Sequence, residues 1–199
     1  MTDTPSFSDI VADHDRVQAA VQRLVDGVRP EQWTAATPCT DWDVRALLNH
    51  VATGNLLFTA NIRGETPPDR SLDHLGEDPS AAFAASGRAL RDAFLAPGTI
   101  EGTFASPMGP TPGPALVLMR TTELLVHGWD LARATGQEPR LPEDIAERTL
   151  AAVQSRLAGM PRAGGPFAEE QAAPPGAPAS DRLAAFLGRP VQAASASQR

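Results

Sequence analysis

Residues 120–133, Arg-Thr-Thr-Glu-Leu-Leu-Val-His-Gly-Trp-Asp-Leu-Ala-Arg, concentrate the side chains able to do chemistry. Glu123 and His127 stand four apart, a spacing that puts both on one face of a helix. Arg120 and Asp130 lie three residues outside that pair and share its face approximately. Leu124, Leu125 and Leu131 fall on the other faces and are free to pack. An unpaired buried charge costs several kcal/mol, so this row of polar groups needs partners. A Glu-x-x-x-His pair is half of a metal site, and helical bundles build such sites from inward-facing residues on several helices. The remaining histidines are His14, His50 and His74. His50 sits mid-helix in 46–54, on the apolar face with Leu47. Together His50, Glu123 and His127 would offer two imidazoles and one carboxylate. That donor set suits catalytic zinc with a position left open, and also nickel, iron(II) or manganese. The competing reading is plainer: Glu123 and His127 as an i,i+4 surface ion pair, and His50 as a hydrogen-bonded core histidine.

The flanking groups have two roles open to each. Arg120 has the planar fork that holds a substrate carboxylate, or it pairs with Glu123 or Asp130. Asp130 either orients His127 or Arg120 from behind, or pairs with Arg133 on the surface. Trp42 and Trp129 flank the chemistry and read as core anchors before substrate platforms. His14 lies on the apolar stripe of the first helix and reads as a core or rim histidine, with a fourth metal ligand as its other role. His74 falls in a polar loop. Cys39 precedes a helix start, where a thiol can be activated, but a small side chain in a structural turn is the favoured reading.

Helices are expected to position these groups. Ile10, His14, Val17, Val21, Leu24 and Val28 form one stripe over 7–28, ended by Arg29-Pro30. A second helix is expected from Thr40 as N-cap, with Asp43 completing a capping box, and runs to about Asn61 before Gly64. Asp78-Pro79 opens a third, to about Leu95. The fourth covers 114–135 and stops at Gly136. A fifth follows Pro142 to about Leu157, and Ser180 is expected to cap a short sixth over 181–187. The Gly/Pro-rich stretch 97–113 is long for an idle connection, and is expected to close part of a pocket beside the fourth helix. No stretch alternates as a strand would. The expected class is all-α: a four-helix bundle over 1–158, with a Pro/Gly-rich wrap and short C-terminal helix over 159–199 in the same domain.

Composition narrows the function. The 199 residues suit one domain with a full-sized core. All 17 basic residues are arginine, which excludes Schiff-base and P-loop lysine chemistry. Tyrosine is absent, and a single cysteine excludes an internal disulfide and any multi-cysteine metal site. A lone thiol, no leader-like N-terminus and no long apolar run lead to an expectation of a cytoplasmic protein without membrane contact. The net charge of −7 and the lack of a basic patch argue against nucleic acid as a partner. No G-x-S-x-G occurs, so a serine-hydrolase elbow has no support.

The stretches TPCTDWDVRALLNHV (37–51) and RTTELLVHGWDLARATG (120–136) resemble the DinB-like superfamily. More closely, they are similar to the metal-binding N-terminal domain of the mycothiol-dependent maleylpyruvate isomerase family. DRLAAFLGRPV (181–191) is similar to the ending of its small single-domain members, and the likeness spans about 8–191. The resemblance implies a DinB-like four-helix bundle with a divalent metal, most often zinc, on His50, Glu123 and His127. It also implies a low-molecular-weight thiol, mycothiol or a relative, as co-substrate for transfer to a small electrophile or for isomerisation of a double bond. The full-length isomerase carries a second domain that supplies an active-site arginine, and this chain is expected to lack it. The electrophile is therefore left open. A non-catalytic metal-binding or small-molecule-binding bundle, or a metal-dependent hydrolase with Asp130 as base, are the alternatives. A homodimer through a bundle face is the expected assembly.

Overall fold

The computed structural model describes residues 6–106, 109–159 and 168–191. Four helices form the bundle: α1 (Phe7–Asp26), α2 (Val44–Arg63), α3 (Pro79–Phe94) and α4 (Gly113–Thr135). A short 3-10 turn, Pro30–Gln32, follows α1. Helix α4 lies against α1 and α2, and α3 packs on α1 and α2 from the other side. Helices α5 (Glu143–Leu157) and α6 (Ala179–Phe186) pack on each other and on α4. The all-α bundle with C-terminal additions is the observed architecture. Part of the expected wrap, 160–167, and the tail 192–199 lie outside the described residues.

Local chemistry explains the boundaries. The Ser6 hydroxyl accepts from the Asp9 N–H and the Asp9 carboxylate accepts from the Ser6 N–H, a reciprocal cap on α1. Asp78 caps α3 ahead of Pro79, and Gly136 ends α4 in the left-handed region at φ 68°. The largest core cluster runs through Val17, Val21, Leu47, Val51, Leu124 and Trp129. Gly128 lets α1 come close to α4, since a Cβ there would stand 2.7 Å from the Val21 Cγ2.

Three local expectations are corrected. Helix α2 starts at Val44 with Asp43 as its cap, accepting from the Ala46 N–H at 2.8 Å, three residues after Thr40. The reason is Thr37. Its buried hydroxyl donates to the Trp42 carbonyl at 2.8 Å and accepts from the Cys39 N–H at 3.1 Å, folding 37–42 into a turn before the helix can begin. Helix α6 starts at Ala179, and Ser180 does not cap it. The Ser180 N–H and hydroxyl both donate to the Glu143 carboxylate, docking α6 on α5. The 97–113 stretch carries a two-residue antiparallel pairing, Thr103–Phe104 with Thr111–Pro112. Phe104 packs into a second cluster with Leu90, Phe94 and Leu116, and Asn61 near the end of α2 donates to the Ala105 carbonyl. No described residue of this stretch lines the pocket that holds His127.

Candidate functional site

Helices α2 and α4 bring His50, Glu123 and His127 to one pocket of about 400 Å³. The two imidazole rings meet edge to face with centroids 5.2 Å apart. Trp42, delivered by the 37–42 turn, stacks on His50 at 4.3 Å and tilts over His127 at 5.9 Å. Its indole therefore forms a wall of the site as well as packing against the core. The remaining walls are Pro38–Asp41, Thr122 and Val126, with Ala168, Gly188 and Arg189 from the C-terminal segment. A second chamber of about 330 Å³ adjoins the first. Trp42, His50 and Glu123 border both. The second chamber is closed by Leu57, Phe58, Met119 and Arg70, among others.

Each pocket-facing group on α4 has a partner behind it. Arg120 is 1% exposed and ion-pairs with Glu123. Its Nη2 donates to the Val51 carbonyl at 3.1 Å and to the Asn55 Oδ1 at 2.8 Å. The guanidinium also lies over the Phe58 ring, 5.2 Å from its centroid. Gly54 makes room for it, because a Cβ there would stand 2.5 Å from Nη1. Burial opposes the charge on Glu123, and Arg120 with the two histidines overcomes it, holding the carboxyl below its usual range. Arg120 thus spends both Nη atoms on protein groups, while its Nε has no partner among the described residues and the residue borders the second chamber.

Asp130 is fully buried and is not part of the pocket lining. Its Oδ2 lies 3.1 Å from the His127 Nδ1. A carboxylate only accepts, so Nδ1 donates to it and Nε2 is the ring nitrogen left for a ligand. Arg189 holds Asp130 in turn, donating from Nη2 to Oδ2 at 3.0 Å and from Nε to Oδ1 at 3.3 Å. Burial works against the Asp130 charge, but the hydrogen bonds from His127 and Arg189 keep its pKa low.

Cys39 completes this group. Its sulfur accepts from the Arg189 Nη2 at 3.1 Å and donates to the Asp130 Oδ2 at 3.5 Å. Burial, then the Asp130 charge, push the thiol up to about 11. It is a protonated hydrogen-bonding group of a structural turn, and no nucleophile at neutral pH. Cys39, His127 and Asp130 also form a compact donor group, with one potential ligand atom from each within 4.8 Å of the others. Apart from the His127 Nε2, the ligand atoms of that group are engaged with one another or with Arg189.

His50, Glu123 and His127 share the pocket but are not among the groups whose ligand atoms all lie within 4.8 Å of one another, so their case as metal ligands rests on the chemistry of the donors. Burial, then the neighbouring His127, push the His50 imidazole down to about 4, so it presents a lone pair at neutral pH. His127 leaves Nε2 for a ligand, and Glu123, held below its usual range, offers the carboxylate that metal ligation requires. His14 does not join them. It is buried against Phe94, with centroids 5.3 Å apart, and its Nδ1 lies 3.4 Å from the Thr121 hydroxyl. His74 sits in the 64–77 loop, its Nε2 on the Asp69 carbonyl at 2.7 Å. Trp129 is a core anchor whose indole N–H donates to Asp181 at 2.6 Å, tying α6 to α4. Sequence reasoning did not find Arg189 or Arg70, and only the tertiary fold brings them to the site. It placed Trp42 as a core anchor ahead of a substrate platform, and the indole does both, packing against the core and walling the pocket.

The chain belongs to the mycothiol maleylpyruvate isomerase N-terminal domain family, whose model matches residues 14–132. That span contains all three candidate ligands. Two uncharacterized proteins of Mycobacterium tuberculosis are similar to it, one from strain ATCC 25618 / H37Rv and one from strain CDC 1551 / Oshkosh. Each is 38% identical over 180 residues, covering 90% of this chain and 97% of its own. Among solved structures, the crystal structure of the mycothiol-dependent maleylpyruvate isomerase superposes with a TM-score of 0.63 at 18% identity. The match covers 78% of this chain and 74% of that one. A histidine-to-alanine variant of the same enzyme matches equally. The fold is the helical DinB-like bundle. Among the described residues, no helix is long and apolar enough to cross a membrane.

Proposed function

We propose that this protein is a metal-dependent enzyme of mycothiol-type thiols, an S-transferase or isomerase acting on a small electrophile. One observation carries the reading: in a member of this family, two imidazoles and an ionised carboxylate from α2 and α4 face one pocket of about 400 Å³. A divalent metal held by His50, Glu123 and His127, most naturally zinc, would lower the pKa of a thiol enough to supply a thiolate nucleophile at neutral pH. The chain's own residues prepare for this. Asp130 fixes the His127 tautomer, with Nε2 turned to the pocket. Arg120 keeps Glu123 ionised. Trp42 covers His50 and limits its motion. For an isomerase, sulfur adds to one alkene carbon, the bond left single rotates, and sulfur departs. For a transferase the C–S bond stays and the product carbon takes up a proton. The hydrolase alternative relied on Asp130 as base, and Asp130 is buried behind His127 and does not line this pocket.

The test is metal content by mass spectrometry in wild type and His50→Ala, followed by cobalt substitution and titration with mycothiol. The expected result is about one metal per chain, lost in the variant, with a thiolate-to-cobalt absorption band on thiol addition. Metal without any spectral response to thiol would overturn the thiol reading, and no metal would overturn the site.

A further inference from the structure

Three arginines border the two chambers, and they are not equivalent. Arg120 is buried and paired with Glu123, and Arg189 is spent on Asp130 and Cys39. Arg70 has no hydrogen bond or ion pair among the described residues, yet it lines the second chamber. Its charge is felt at both His50 and Glu123. The adjacent Asp69 makes no ion pair with it, and its Oδ1 accepts from the Ser71 N–H and hydroxyl, both at 2.8 Å.

The loop that presents Arg70 is pinned to α2. Asn49, the residue before His50, donates to the Leu72 carbonyl at 3.1 Å and accepts from the His74 N–H at 2.8 Å. One turn earlier, Arg45 pairs with Asp73 and donates to the Gly76 carbonyl at 2.7 Å. So the segment of α2 that supplies His50 also fixes the distance between His50 and the loop. The chamber has apolar walls in Ala46, Leu57, Phe58 and Met119, beside polar ones in Asn49, Thr53 and Glu123. An unpaired guanidinium at the rim of a cleft with apolar walls favours a ligand with an apolar body and one anionic end.

We propose that Arg70 is the anion-recognising residue of this site, and that the chamber it caps takes an electrophile with a compact apolar body and a single carboxylate. This rests on the reading of the pocket as the place where a thiol meets an electrophile. The larger chamber, with Thr40, Asp41, Thr122 and the C-terminal segment in its walls, is left to the polar thiol. His50 and Glu123 stand between the two.

The test uses cinnamate and its neutral isostere cinnamamide as probes, titrated calorimetrically into wild type, Arg70→Gln and Arg70→Lys. Each titration is run on protein as purified and after treatment with a chelator. Because the chelated protein is included, the result does not depend on whether a metal is held. The expected result is that wild type prefers the acid to the amide by about tenfold or more with and without chelator. Arg70→Gln should lose that preference while binding the amide as wild type does, and Arg70→Lys should keep part of it. Equal binding of acid and amide, no binding of either, a preference that survives Arg70→Gln, or one that disappears on chelation would each overturn the proposal. Arg70 is exposed, so its variants should keep the wild-type melting temperature, and a matching value confirms that they are folded.

Discussion

Helix α4 repeats one device with the polarity reversed. At its N-terminal side an i,i+3 pair turns the carboxylate, Glu123, toward the pocket and keeps the cation, Arg120, behind. At its C-terminal side an i,i+3 pair turns the imidazole, His127, toward the pocket and keeps the carboxylate, Asp130, behind. The rear groups are anchored differently. Arg120 is held by α2 through the Val51 carbonyl and Asn55, close to His50. Asp130 is held from far along the chain by Arg189. Spacing alone places a pair on a helix face. Which member faces the ligand is decided by which one finds a buried partner on another element.

The comparison can be broken at its first pair with the largest effect. Arg120→Met leaves Glu123 without its buried counter-charge and Asn55 and Val51 without a donor. It should cost about 3–5 kcal/mol of stability, read from chemical denaturation, as removal of one partner from a buried pair generally does. A loss below about 1 kcal/mol would mean that the pair is not built into the core as described.

A pH scan sharpens the same end of the helix. His14 lies close enough to Arg120 to feel its charge, and burial, then that charge, push it down to about 3. Its Nε2 has no partner among the described residues. An unfolded chain takes up this proton near the ordinary value of 6.5, and the native chain only near 3. The unfolded state therefore binds more protons through that window, so stability is full above 6.5 and falls as the pH drops toward 3. His14→Leu should flatten the stability–pH curve in this range. An unchanged slope would show that His14 is solvated in the native state.

The second pair should give smaller and separable effects. Asp130→Asn removes the carboxylate that fixes the His127 tautomer, and should weaken metal binding by about 10–100-fold, measured by competition with a chromophoric chelator. Cys39→Ser keeps a small hydrogen-bonding group beside Arg189 and should leave metal affinity nearly unchanged. A larger loss in Cys39→Ser than in His50→Ala would move the metal to the group formed by Cys39, His127 and Asp130.

Much of this was legible before the fold was known. The helices of the bundle follow from apolar periodicity, and Asp78-Pro79 and Gly136 mark boundaries by local chemistry that no tertiary contact overrides. Glu123 and His127 share a face because the helical repeat requires it. The illegible parts depend on distant partners. Thr40 looked like a cap, but the Thr37 hydroxyl draws 37–42 into a turn and hands that role to Asp43. The 97–113 stretch looked like a pocket cover, yet Phe104 finds apolar neighbours at the other end of α4. Arg189 had no local signature, because its partners Cys39 and Asp130 lie 150 and 59 residues away.

Consecutive residues of α4 grip the C-terminal segment at two points: Trp129 near its start through Asp181, and Asp130 near its end through Arg189. During synthesis, a nascent chain that has already released α4 carries His50, Glu123 and His127, but its pocket is open on one side and Asp130 has no cation. A contact across 150 residues adds to the contact order of the fold and so slows folding. In a chain made from its N-terminus, the site behind His127 is neutralised and sealed only once the C-terminal segment has been added.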